Sequence, residues 1–257
     1  MVDYHIHSTF SDGEESPEDL IRLASEQGLE AIAITDHFDA NDPNYGGKSM
    51  EQLLRHFERI RASAAKSELT VYCGVETGTD MEGHFAQEQE LLACCDIIIT
   101  SPHYLRTDCE IKRGEWFNDA YWEAYRSLLL NVAAGPGNVL GHPEGYLPIG
   151  PLLLPGTTYE ERKGICRSIA QRYFDEEFVD QLACALKSSG KACELHGATD
   201  TPRECVVKRM GEHGVRFSLG SDTHAAGLLG KNERGETLIR KYHLKQYHPK
   251  QKERAAW

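Results

Sequence analysis

Val2-Asp3-Tyr4-His5-Ile6-His7, followed by Ser16-Pro17-Glu18-Asp19-Leu20-Ile21-Arg22-Leu23-Ala24, decides how the rest of the chain is read. The first stretch places apolar and aromatic residues next to polar ones over a length suited to a strand. The second opens a helix. Ser16 is the N-cap, Pro17 stands at the first helical position, Asp19 is placed to complete a capping box, and Gly28 stops the helix. Leu20, Ile21 and Ala24 give that helix one apolar face. A strand, a turn and an amphipathic helix form one βα unit.

The unit recurs. Short apolar runs predict strands at 2–6, 31–34, 69–75, 96–99, 138–140, 191–195 and 216–219. Helical periodicity falls between them, at 17–27, 50–65, 85–94, 116–134 and 159–189, the last broken near Phe174, and one or two helices follow the seventh strand. Two loops stand out, 39–48 and the proline- and glycine-rich 143–158. Both follow a strand end, where long loops bind substrate or act as lids. No repeat, low-complexity tract or linker divides the chain. One domain over 1–243 is expected, followed by a solvated basic tail over 244–257; the basic residues run from Arg240 and include Lys241, Lys245, Lys250 and Lys252.

Composition narrows the class. With 257 residues the chain can bury one large α/β core. It has no apolar run of membrane-spanning length and no signal peptide, so a cytoplasmic protein with no membrane partner is expected. A net charge of -12 argues against long nucleic acid, which needs a basic face, and leaves carboxylates to hold cations. The eight cysteines form no Cys-x-x-Cys pair and several lie in apolar stretches, so reduced, mostly buried thiols are expected.

Each predicted strand carries a potential metal ligand at or just past its C-terminal end. In order these are His5 and His7 with Asp12 in the next turn, then Asp36-His37, Glu76, His103, His142, Glu194 with His196, and Asp222 with His224. In a parallel barrel that end holds the active site. His5 and His7 are two apart on a strand and share a face; Asp222 and His224 repeat the spacing. Imidazole and carboxylate without thiolate suit zinc, manganese or iron(II) in a hydrolytic site rather than a structural zinc. Each piece alone is weak: a His-x-His, an Asp-His pair or a buried glutamate often has a structural role. The weight lies in their joint alignment with strand ends. Glu194, His196 and Asp36 are also read as partners that orient ligands. His56, His84, His213, His243 and His248 are read as ordinary.

His5-Ile6-His7 with Ser11-Asp12-Gly13, Thr35-Asp36-His37, Gly74-Val75-Glu76, Pro102-His103, Gly141-His142-Pro143 and Ser221-Asp222-Thr223-His224 resemble the motifs of the PHP (polymerase and histidinol phosphatase) family over residues 2 to about 230. The resemblance implies a distorted (β/α)7 TIM-like barrel and two or three divalent metal ions. It assigns His5, His7, Glu76 and Asp222 to one ion, Glu76, His103 and His142 to a second, and Asp12, His37 and His224 to a third. Some relatives have histidine where this chain has Asp12, which puts the strength and identity of the third ion in question. The expected chemistry is a metal-activated water attacking phosphorus, with Asp36, His196 or a metal-bound water as the proton donor to the leaving group. Arg203 and Arg106 are the arginines expected at the phosphate. A small phosphomonoester is the expected substrate, histidinol phosphate the best single compound. A phosphodiesterase or nucleotide phosphatase, an amidohydrolase-like hydrolase of C–N bonds and a non-catalytic metal-binding module remain alternatives. The Asp12, His37 and His224 group has no role in the C–N hydrolase reading, and the full ligand set argues against the non-catalytic one.

Overall fold

The computed structural model describes residues 1–39 and 47–252. Most of the loop expected at 39–48 therefore lies outside the described residues. The elements alternate: β1 (Val2–Ile6), α1 (Pro17–Glu26), β2 (Ala31–Ile34), α2 (Met50–Ala64), β3 (Thr70–Gly78), α3 (Glu88–Cys94), β4 (Ile97–Ser101), α4 (Asp119–Ala134), β5 (Val139–Leu140), α5 (Tyr159–Tyr173), α6 (Glu176–Ser189), β6 (Ala192–His196), α7 (Glu204–Glu212), β7 (Arg216–Gly220), α8 (Glu233–Tyr242) and β8 (Lys245–Gln246). All strand pairs are parallel, in the order β1 to β8. Just past β7, Thr223 meets β1: His7 N–H donates to the Thr223 carbonyl at 2.8 Å. The sheet thus curls back on itself at the strand C-terminal ends, in the TIM-like manner.

The helices form where the sequence caps them. Ser16 accepts from Asp19 N–H, but the expected capping box is incomplete: Asp19 is too short to reach the backbone and instead accepts from the Ser16 hydroxyl at 2.6 Å. Full boxes occur at Ser49/Gln52 and Thr158/Glu161. The break near Phe174 is present, with Asp175 capping α6.

Two buried clusters fill the molecule. Leu20, Ile21 and Ala24 of α1 meet Leu53, Phe57 and Ile60 of α2 against Ile6, Ile32 and Ile34. Trp122 and Tyr125 of α4 meet Phe178 and Leu182 of α6 in the other. Each such large side chain contributes about 1.5–3 kcal/mol on burial. A register shift between Asp3 and Ile6 interrupts the alternation of β1. Val2 and Tyr4 join one cluster and Ile6 the other, as a bulge requires.

The described part of the basic tail, up to Lys252, is packed against the barrel rather than solvated as expected. Lys245 and Gln246 pair with Arg216 and Phe217, Tyr247 is buried, and Lys252 N–H donates to Asp96 at 2.7 Å. Residues 245–252 cross the N-terminal ends of the strands. Tyr247 and Pro249 face inward, while Lys245, Lys250 and Lys252 keep their charges exposed. A two-residue strand set among lysines leaves no hydrophobic period to read.

Lys191 lies buried at the start of β6, donating to Thr100 Oγ1 and the carbonyls of Val132 and Pro136. Burial lowers its pKa to about 7 from 10.5. The unfolded chain holds this proton to higher pH than the folded one, so Lys191 makes stability rise with pH from about 7. Above about 9 the buried Cys73 thiol, pushed up to about 12 by burial, offsets it. His224, lifted to about 9, also opposes it. The readout is therefore a difference. Wild type should gain up to about 2–3 kcal/mol between pH 7 and 9 relative to Lys191→Met in urea denaturation. Parallel pH profiles would remove the assignment.

Candidate metal centre

The C-terminal strand ends open into a cleft of about 400 Å³, lined by Asp12, His37, Glu76, His103, His142 and Asp222 among others. Its depth comes from β1. His5 and His7 are fully buried, and their Nε2 atoms make no hydrogen bond. Yet His5 Nε2 stands 3.3 Å from Glu76 and 3.4 Å from Asp222, and His7 Nε2 stands 3.5 and 3.1 Å from the same two carboxylates. Four donor side chains thus converge without hydrogen bonding through those nitrogens. Such an arrangement in a buried site is costly unless a further positive partner sits among them.

Two more groups adjoin this one. Glu76, His103 and His142 offer ligand atoms all within 4.8 Å of one another, and so do His7, Asp12, His37 and His224. Glu76 joins the groups: it lies 3.0 Å from His142 Nε2, 3.2 Å from His103 Nε2 and 3.1 Å from His37 Nδ1, and accepts from the Ser101 hydroxyl. His142 and Asp222 hold positive φ angles of 24° and 56°, strained for non-glycine residues. Strain of this kind gathers at functional sites, where surrounding structure enforces it.

Burial would drive Glu76 and Asp222 towards protonation. The imidazoles around them outweigh it and hold both carboxyls well below the usual range. Burial, with His7 and His103 nearby, pushes His37 down to about 3 and leaves its ring neutral. Burial works against the charged form of His224 too, but Asp12 and Asp222 outweigh it and lift its pKa to about 9. The cleft therefore presents ionised carboxylates among imidazoles, a nitrogen and oxygen donor set without thiolate. That set fits divalent zinc, manganese or iron.

Other sequence-predicted residues stand behind the cleft. Glu194 takes His5 Nδ1 at 2.6 Å and accepts from His142 N–H at 2.7 Å, turning His5 Nε2 towards the cleft. His196 holds Asp222 through Nε2 at 3.1 Å and Thr199 through Nδ1 at 2.7 Å. Asp36 is 1% exposed and accepts from Ser8, Ser11 and His56. With its oxygens so engaged it fixes the β1–α1 loop. His56, read as ordinary in the sequence, is its partner at 2.8 Å. Arg203 does not line the cleft: it is bound to buried Glu144 and to the Phe174 carbonyl. Arg106 lines a neighbouring hollow with Asp39 and Asp80. Arg162, Tyr146 and Tyr104 do line the cleft, and the sequence reading missed them. Arg162 closes the first turn of α5, and the path of the 143–158 loop brings it over the cleft.

A model of the PHP domain matches residues 3–251. The chain belongs to the PHP family. It is 26% identical over 247 residues to the DNA polymerase/3'-5' exonuclease PolX of Bacillus subtilis (strain 168), covering 93% of this chain and 37% of that one. It is 28% identical over 240 residues to the histidinol-phosphatase of Lactococcus lactis subsp. lactis (strain IL1403), covering 88% of this chain and 84% of that one. The crystal structure of histidinol phosphate phosphatase from that Lactococcus, complexed with zinc, L-histidinol and phosphate, superimposes with a TM-score of 0.69 at 24% identity. It covers 95% of this chain and 94% of its own, and shows the same fold. By family this is a metal-dependent phosphoesterase. No helix among its described residues is long and apolar enough to cross a membrane.

Gly220 ends β7, where an added Cβ would lie 2.3 Å from Glu194 Oε1 and 2.6 Å from the His5 Cβ. Only glycine lets this Glu194–His5 pair approach the strand. Gly220→Ala is expected to weaken metal affinity about 10- to 100-fold, as loss of a ligand-orienting contact does. Competition against a chelating indicator measures it, and unchanged affinity would show that Glu194 does not set the His5 ring.

Proposed function

We propose that this PHP chain hydrolyses small phosphomonoesters with two or three divalent ions, zinc, manganese or iron, held in the cleft. The observation carrying this is the pair of buried, hydrogen-bond-free Nε2 atoms of His5 and His7 facing Glu76 and Asp222. In this reading His5, His7, Glu76 and Asp222 hold one ion, Glu76, His103 and His142 a second, and Asp12, His37 and His224 a third. The ions, when bound, polarise phosphate and bring the pKa of water towards neutrality.

The chain's own residues do the rest. Glu194 and His196 orient His5 and Asp222. Arg162 is placed to meet phosphate oxygens in Arg203's stead. Tyr146 borders the cleft with its hydroxyl pKa raised by burial, and so offers a proton for a hydrogen bond at neutral pH. Water adds to phosphorus, the ester P–O bond breaks, and the leaving oxygen takes a proton.

Histidinol phosphate is the substrate suggested by the Lactococcus relative's name. The net charge of -12 favours a small substrate over long nucleic acid. The test is phosphate release by metal-analysed protein against histidinol phosphate, sugar phosphates, nucleotides and a chromogenic diester. Release from monoesters that stops on chelation is the expected result. Full activity with metal near zero would refute the mechanism.

A further inference from the structure

Beside the cleft lies a second, narrower hollow of about 70 Å³, between the loop after β5, the first turns of α5 and the loop after β6. Tyr146 and Arg162 line both spaces. The second hollow carries four cationic side chains, Arg162, Lys163, Arg167 and Arg203, against two acids, Glu144 and Asp200. Glu144 is already bound by Arg203, with Oε1 2.9 Å from Nε and Oε2 accepting the backbone N–H at 2.6 Å. Asp200 also faces Arg234. Lys163 reaches exposed Glu160 at 3.7 Å and lies 5.5 Å over the Tyr159 ring, neither of which buries its charge. Positive charge is left in excess at Arg162, Lys163 and Arg167. Arg162 Nε is moreover buried without a hydrogen bond. An orphaned buried donor of this kind costs about 1–3 kcal/mol, which an acceptor on a ligand would recover.

We propose that this hollow receives the leaving group, and that the preferred substrates carry a second anionic group, a carboxylate or another phosphate, beside Lys163 and Arg167. The inference rests on the phosphatase reading and sharpens it. A phosphate at the cleft places the rest of the ester past Arg162, among these cations. The same charge disfavours a cationic leaving group, and histidinol, an amino alcohol, is one.

Matched pairs test it with the metal-loaded chain. 3-Phosphoglycerate against glycerol 3-phosphate isolates a carboxylate; propane-1,3-diyl bisphosphate against propyl phosphate isolates a second phosphate. The doubly anionic member should have kcat/KM at least about tenfold higher in one or both pairs, mainly through KM. Arg167→Ala should bring that ratio to about one, and Arg167→Lys should restore part of it. Turnover with ratios near one, or with histidinol phosphate preferred, overturns the subsite and leaves the phosphatase standing. If nothing is hydrolysed, the phosphatase reading falls and calorimetry decides the subsite. About tenfold tighter binding of 3-phosphoglycerate than of glycerol 3-phosphate, lost in Arg167→Ala, sustains it; equal or undetectable binding overturns it.

Discussion

Glu76→Gln should lower kcat/KM by at least about a thousand-fold while the chain stays folded. Glu76 is 1% exposed, and four imidazole nitrogens stand within 3.3 Å of it, from His5, His37, His103 and His142. It belongs to the His5, His7 and Asp222 convergence as well as to the His103 and His142 group. Replacing one oxygen by an amide keeps the shape but removes the negative charge that two ions would share. Metal content should fall together with activity. The circular dichroism spectrum should not change, because the Ser101 hydroxyl and the strand pairing of β3 need no charge. Measured metal per chain and phosphate release decide the matter. Normal values of both would mean that Glu76 is only a buried, hydrogen-bonded carboxylate.

Asp36→Ala should be the most destabilising change near the site, by about 4 kcal/mol. The side chain takes the Ser8 N–H at 2.7 Å, the Ser8 hydroxyl at 2.8 Å, the Ser11 hydroxyl at 2.7 Å and His56 Nε2 at 2.8 Å. Removing a buried charge so engaged leaves several donors unsatisfied, and such losses run to about 3–5 kcal/mol. A domain with about 5–15 kcal/mol in total loses much of its margin. The local consequence is specific. Asp36 pins residues 8–11, and Asp12 follows directly. The ion proposed at Asp12, His37 and His224 should be lost before the one proposed at His5, His7 and Asp222. Urea denaturation gives the first number and metal stoichiometry the second. A change in stability under 1 kcal/mol would contradict this role for Asp36.

The barrel was legible because a parallel βα fold writes itself twice, in apolar strand runs and in the polar residues ending them. Ala31–Ile34 and Ile97–Ser101 are buried throughout and so read as continuous runs. The candidate ligands were legible for the same reason: a residue at a strand end has its direction set by the strand. The side chains missed have no such rule. Arg162 and Tyr146 owe their aim to a long loop whose path depends on tertiary packing. His56 sits on a helix, and its only signal is spacing from other core residues. Arg203 shows the converse error, since being near the right strand does not put a guanidinium in the right space. Glu144, buried at 1% exposed side-chain area, captures it.

Asp3 in β1 accepts hydrogen bonds from Ser221 N–H and Gly230 N–H, while residues 245–252 lie across the bases of strands as early as β3. A chain emerging from the ribosome therefore makes His5 and His7 well before Asp222, which cannot stand beside them until more than two hundred further residues have been added. Contacts of such sequence separation form late and slowly. The half-built barrel would expose a row of histidines to whatever ions the surroundings hold. On the proposed reading, a complete set of ligands for an ion at His5, His7, Glu76 and Asp222 exists only once β7 and the turn after it have joined β1.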